Sequence, residues 1–269
     1  MITFAIPIHA YQLMRHLVSF TFVLGLFTLY GCGNNSNQDS IVPPITKQIP
    51  KITPTTQQKE RRARSEEYCK IYKIPYFSDT NYFYTETDDK VRLRTKEEVI
   101  NRALALYFVG IKSEGIDEAG LKMIDSIFSI SSILTPEEKR YINSAHPTQQ
   151  QQTDANWRYE SMHVMLWALG FIDSLSYPTE MCNVSEDSKI FYELRNEGFR
   201  SKAKLRSKKE ILDQADLVVR LHWACVQSQL KNQPPPAGLN TSVIYERHYS
   251  LNWLIRYMNQ EWDNVQTDT

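Results

Sequence analysis

The stretch Asp154-Ala-Asn-Trp-Arg-Tyr-Glu-Ser-Met-His-Val-Met-Leu-Trp-Ala-Leu169 decides the fold. At helical spacing Trp157, Ser161, Val164, Met165, Ala168 and Ile172 form one stripe, and Met162 and Leu166 widen it. A helix apolar over most of its circumference belongs at the centre of a domain, not on its surface. Thr153 or Asp154 is placed to cap its start, and Gly170 to end it. Arg158, Glu160 and His163 interrupt the apolar surface, and burying them is costly unless each is paired. They are the first candidates for a functional site.

Outward from this helix the pattern stays helical. Thr95-Lys-Glu-Glu98 is a capping box that predicts a helix to about Val109, with Val99, Ala103, Leu106 and Phe108 facing inward. Asp117 caps a helix through Leu121, Ile124, Ile127 and Phe128, and Thr135-Pro-Glu-Glu138 opens another with proline at its first position. Residues 144–153, with four consecutive glutamines, read as a loop, and a second irregular region includes Tyr177-Pro178 and Glu186-Asp187. Ser207-Lys-Lys-Glu210 opens a long helix to about Leu230 with Ile211, Ala215, Val218, His222 and Cys225 on one stripe. After Pro234-Pro-Pro236, Asn240 caps a last helix to about Met258, which places Ile244, His248, Leu251, Ile255 and Met258 on one face. Near the N-terminal end, Glu60 to Tyr72 predicts a helix with a basic start. Tyr82/Tyr84 and Val91/Leu93 around Asp88-Asp89 admit one small β-hairpin within 76–94. The expected architecture is a single all-α, multi-helix domain over residues 59–269.

Upstream of that domain the composition changes twice. Residues 17–29, LVSFTFVLGLFTL, are apolar and uncharged, too short to span a bilayer, and follow Arg15-His16. This is the pattern of a secretory h-region, and Met14-Arg-His16 makes a more compact n-region than the residues before it, so Met14 stands beside Met1 as a candidate start. The run ends in Leu29-Tyr-Gly-Cys32, which resembles a bacterial lipobox. The resemblance implies a signal peptide over 1–31, diacylation of Cys32 and lipid anchorage (palmitate among the acyl groups) in the bacterial cell envelope. Tyr30 departs from the small residue usual at its position. Residues 32–58 are polar and proline-containing, a disordered tether with a reach of about 30 Å.

Charge and cysteine usage narrow the function. The chain has 31 basic and 31 acidic residues, and without residues 1–31 it has 30 against 31, so no global field favours nucleic acid and none is expected as a partner. Cys69, Cys182 and Cys225 are an odd set lacking C-x-x-C or Cys/His ligand spacing, and Cys225 reads as a small buried hydrophobe. Six positive charges between Arg200 and Lys209 read as a solvated loop and helix start. No phosphate-binding glycine loop, nucleophile elbow or HExxH motif occurs.

A set of short motifs then singles out one family: Asn101-Arg-Ala-Leu-Ala-Leu-Tyr107, Trp157-Arg-Tyr-Glu160, Leu166-Trp-Ala-Leu-Gly170, Lys202-Ala-Lys-Leu-Arg-Ser207, Leu221-His-Trp-Ala224, Tyr245-Glu-Arg-His248, Leu251-Asn-Trp-Leu254 and Thr267-Asp-Thr269. In this order, over roughly Arg61 to Thr269, the chain resembles the bacterial domain of unknown function family 4272. The resemblance implies a helical domain and carries over no catalytic residue.

Candidate chemistry therefore rests on the residues themselves. Glu160-Ser-Met-His163 has the E-x-x-H spacing that brings a carboxylate and an imidazole to one helical face, as in di-metal bundles, though only one copy occurs. His222 and His248 lie on apolar stripes whose packing would bring the two rings together, near Glu160 or His163. Glu160, His163, His222 and His248 are thus the metal candidates, and Glu160, His222 and His248 the catalytic ones. Arg158, Glu160, Trp223, Glu246 and Arg247 are the candidate ligand-binding set, with Arg158 and Arg247 expected to pair with Asp216 or Glu246. The leading expectation is an envelope lipoprotein with a helical binding domain, no cofactor and an envelope protein partner. The alternative is a metal-assisted hydrolase built on the His/Glu cluster.

Overall fold

In the computed structural model, which describes residues 53–80 and 84–269, eight α-helices succeed one another. They are α1 (Thr56–Ile71), α2 (Lys96–Ser113), α3 (Glu118–Phe128), α4 (Pro136–Asn143), α5 (Gln149–Ala168), α6 (Val184–Lys202), α7 (Lys208–Leu230) and α8 (Thr241–Leu254). They lie in one compact unit spanning residues 49–269, and no described helix is long and apolar enough to cross a membrane. The apolar run 17–29, Cys32 and the tether up to residue 52 lie outside the described residues.

The helix α5 is central: every residue from Tyr159 to Leu169 is buried. It packs on α2 and on α8, α8 packs on α7, and α7 carries α1. Its apolar circumference is what allows contact with several helices at once. The helix begins earlier than its stripe suggests, because Thr148 and Gln151 close a reciprocal capping box. The glutamines read as a loop are therefore the first turn, and glutamine is a good helix former. Gly170, at φ +77°, ends α5 in a Schellman arrangement, with Phe171 N–H donating to the Leu166 carbonyl and Gly170 N–H to that of Trp167. Trp157 and Ile172, placed on the buried stripe, are only half-buried.

Four other expectations need correction. The segment Glu186-Asp187, read as irregular, opens α6. Arg195, at φ +53°, breaks that helix internally. At the N-terminal end, Thr55 and Gln58 form a capping box that starts α1 inside the stretch assigned to the tether. The hairpin is absent from 76–80 and 84–94, while 81–83 lie outside the described residues. The basic start of α1 explains why: Arg62 donates to the carbonyls of Asp79 and Phe77, Gln58 to that of Thr85, and Arg61 to that of Glu86. Carbonyls held by α1 side chains are withdrawn from a strand ladder. Lastly, α8 stops at Leu254, and left-handed backbone at Arg256, Met258 and Asn259 turns the chain back, leaving Met258 exposed.

The returning C-terminal segment covers α8. Tyr249 Oη donates to the Trp262 carbonyl and Asn252 Nδ2 to that of Gln266 at 2.7 Å. The basic run 200–209 is not wholly solvated either. Arg206 lies over the Trp167 ring and donates to the carbonyls of Trp167, Ile172 and Asp173, satisfying groups freed at the end of α5.

Candidate functional site

The motif residues of α5 and α8 meet along one seam. Arg247 Nε donates to Glu160 Oε1 at 2.7 Å, and Glu160 Oε2 accepts the Cys182 N–H at 2.8 Å. Two residues earlier on α5, Arg158 Nη1 reaches Glu246 Oε2 at 3.1 Å, and the same oxygen accepts from Ser161 Oγ. Burial pushes the Glu246 carboxyl upward against the opposing pull of Arg158 and Ser161. Arg158 also lies over the Tyr249 ring. Of the pairings expected for the two arginines, the one with Glu246 forms. Asp216 instead takes both prongs of Arg220 four residues along α7, at 2.9 and 3.1 Å. Trp223, grouped with these residues as a ligand-binding candidate, packs against Phe77 in the segment covering α1.

The two histidine stripes meet as their helices pack. His222 and His248 approach Nδ1 to Nδ1 at 2.8 Å, with their rings near perpendicular. Burial lowers the pKa of both, and His222 lowers that of His248 further, to about 3. Two neutral imidazoles fit: one presents an Nδ1–H, the other an Nδ1 lone pair. This contact occupies Nδ1 of each ring, so neither presents that atom to a substrate.

Glu160 and His163, three residues apart on α5, turn to different partners because different helices cover them. The helix α8 brings Arg247 to Glu160, and α6 brings Asp187 to His163, whose Nδ1 lies 2.8 Å from Asp187 Oδ2. Among the described residues, no three of Glu160, His163, His222 and His248 gather their donor atoms into one metal-sized group. The four-residue cluster of the hydrolase expectation is split into separate pairs.

A different trio does converge. His163, Cys182 and Asp187 place an imidazole nitrogen, Sγ and a carboxylate oxygen within 4.8 Å of one another. The Cys182 thiol is pushed well above its ordinary range by burial, then by Glu160 and Asp187, so it is no activated nucleophile. All three described cysteines are free thiols. Cys182 and Asp187 escaped the sequence reading because Asp187 is 24 residues from His163, a separation that carries no ligand pattern. One signal was present: Asn183 caps α6, which places Cys182 just before that helix and Asp187 just inside it.

With this geometry established, one comparison is decisive. The profile of the family described as Domain of unknown function (DUF4272) matches residues 61–265. The chain belongs to the DUF4272 family. Neither a curated protein nor a solved structure matches it. The matched region thus runs from within α1 through α8 to Val265, and includes the Glu160–Arg247 seam, the histidine pair and the His163/Cys182/Asp187 trio.

Proposed function

We propose that this protein is a bacterial envelope lipoprotein, anchored through Cys32, whose helical domain binds a protein or small ligand without catalysis. One observation carries the non-catalytic part: the side chains a reaction would need are engaged with one another. Glu160 holds Arg247 and a backbone N–H, and His222 and His248 hold each other. An open depression between the end of α7 and the start of α8 is lined by Cys225, Gln229, Asn232, Gln233, Pro235 and Thr241, none of them a catalytic candidate. The surface supports binding. Tyr68, Tyr72 and Tyr177 pack together with centroids 4.5 and 4.8 Å apart, and Tyr72 and the preceding Ile71 are exposed. Aromatic and aliphatic groups gathered on a surface are the usual anchors of an interface. The anchor is supported by the sequence of residues 17–32.

Growth of a bacterial host with labelled palmitate tests the anchor: the wild-type protein takes up label and sediments with membranes, and Cys32→Ala does neither. Equal labelling of the two overturns it. His222→Gln tests the rest, with the expected result a loss of thermal stability alone. A stable His222→Gln protein that has lost a hydrolytic activity of the wild type overturns the non-catalytic reading.

A further inference from the structure

We propose that His163, Cys182 and Asp187 bind a divalent transition-metal ion of the zinc class, tying the start of α6 to the middle of α5. The three donors are a nitrogen, a sulfur and an oxygen, from α5, the chain just before α6, and its first turns. They already lie within 4.8 Å of one another. Bonds of about 2.0–2.3 Å in a tetrahedron set donors roughly 3.3–3.8 Å apart, so the trio closes on an ion with shifts of about an ångström or less. Sulfur and imidazole donors select zinc, cobalt or copper over magnesium and calcium, which take oxygen ligands.

The surroundings hold the donors in place. Glu160 accepts the Cys182 N–H and is itself fixed by Arg247, so the residue expected as a ligand serves as an outer-shell support. Cys182 Sγ rests 3.5 Å from the Tyr159 carbonyl, and the 2.8 Å contact of His163 Nδ1 with Asp187 Oδ2 holds these two donors side by side until an ion replaces it. Arg247 pairs with Glu160, which leaves Cys182 Sγ and the Asp187 carboxylate facing the His163 ring without an arginine or lysine between them. Binding forms bonds from the metal to Sγ, to a His163 nitrogen and to an Asp187 oxygen, and releases the thiol proton to solvent. The thiolate and carboxylate then balance the charge of the ion. His163 and Asp187 are buried and Cys182 is the least enclosed of the three, so an ion would enter from the cysteine side.

Cobalt titration of the full-length, metal-stripped protein tests the site, because a thiolate–cobalt bond has its own charge-transfer absorption. The expected result is one cobalt per chain with that band and tetrahedral visible bands, both removed by stoichiometric zinc. Asp187→Asn weakens cobalt about tenfold or more, Cys182→Ser abolishes the charge-transfer band, and Cys225→Ser, a buried thiol elsewhere, changes neither. Zinc raises the melting temperature of the wild type and not that of Cys182→Ser. Should Cys182→Ser fail to fold, Asp187→Asn carries the test. A folded wild-type protein with no sulfur–cobalt band at saturating metal, or a band surviving in Cys182→Ser, overturns the proposal.

Discussion

His248 sits in α8 with its Nδ1 on His222 and almost no solvent, and its pKa falls from 6.5 to about 3. An unfolded chain binds that proton near pH 6.5, and the folded one only near pH 3. Between those values the unfolded state holds more protons, so stability declines as pH falls from 6.5 toward 3. In His248→Asn, whose amide replaces Nδ1, the urea midpoint is expected to fall less steeply between pH 7 and pH 4 than in the wild type. Equal slopes would assign the acid sensitivity elsewhere. The Glu160–Arg247 pair makes a second prediction at this scale. Arg247→Met leaves a fully buried carboxylate uncompensated and is expected to cost about 3–5 kcal/mol in urea denaturation. Arg247→Met with Glu160→Met is expected to cost less than Arg247→Met alone, because no buried charge is then left unpaired. That these polar groups needed partners was legible in the sequence, since they interrupt an apolar helix. Which partners they take was not, because each lies on another element.

Among the elements, the contact between α2 and α5 is set at Gly110, where an added Cβ would lie 2.5 Å from the Tyr159 ring. Gly110→Ala is expected to destabilise by about 1–3 kcal/mol, since either the ring or the helix must shift. A neutral result in thermal or chemical denaturation would mean that the two helices separate freely there. The caps make the complementary case. Five helices open with reciprocal boxes, at Thr55, Thr95, Thr135, Thr148 and Ser207. The three that close with glutamate are legible in the sequence, whereas the two that close with glutamine, at Thr55 and Thr148, fall where composition predicts tether and loop. The amide of Gln58 and that of Gln151 accept the cap N–H as a carboxylate would, without the charge that draws attention. Thr148→Ala is expected to cost about 1 kcal/mol and to speed hydrogen exchange over the first turn of α5 while leaving Tyr159 to Leu169 protected.

At the scale of the whole molecule, the C-terminal segment closes the domain through stacked cations and rings. Arg94 lies over Trp253, Arg102 over Trp262, and Arg158 over Tyr249, while Trp253 and Trp262 meet edge to face at 5.6 Å. Arg102 is also paired with the buried Glu138 of α4. One indole from the tail therefore contacts side chains of α2, α5 and α8, and Trp262→Ala is expected to cost about 3–5 kcal/mol and to open residues after 256 to protease. A variant as stable and as resistant as the wild type would show that the tail is a passenger. The sequence alone determined the helical class, the central place of α5 and most helix starts, because periodicity and capping act over a few residues. Only the tertiary structure decided that Glu160 meets Arg247, that His222 meets His248, and that His163 gathers Cys182 and Asp187. These contacts depend on how helices far apart in the chain pack and turn, which short-range patterns do not encode.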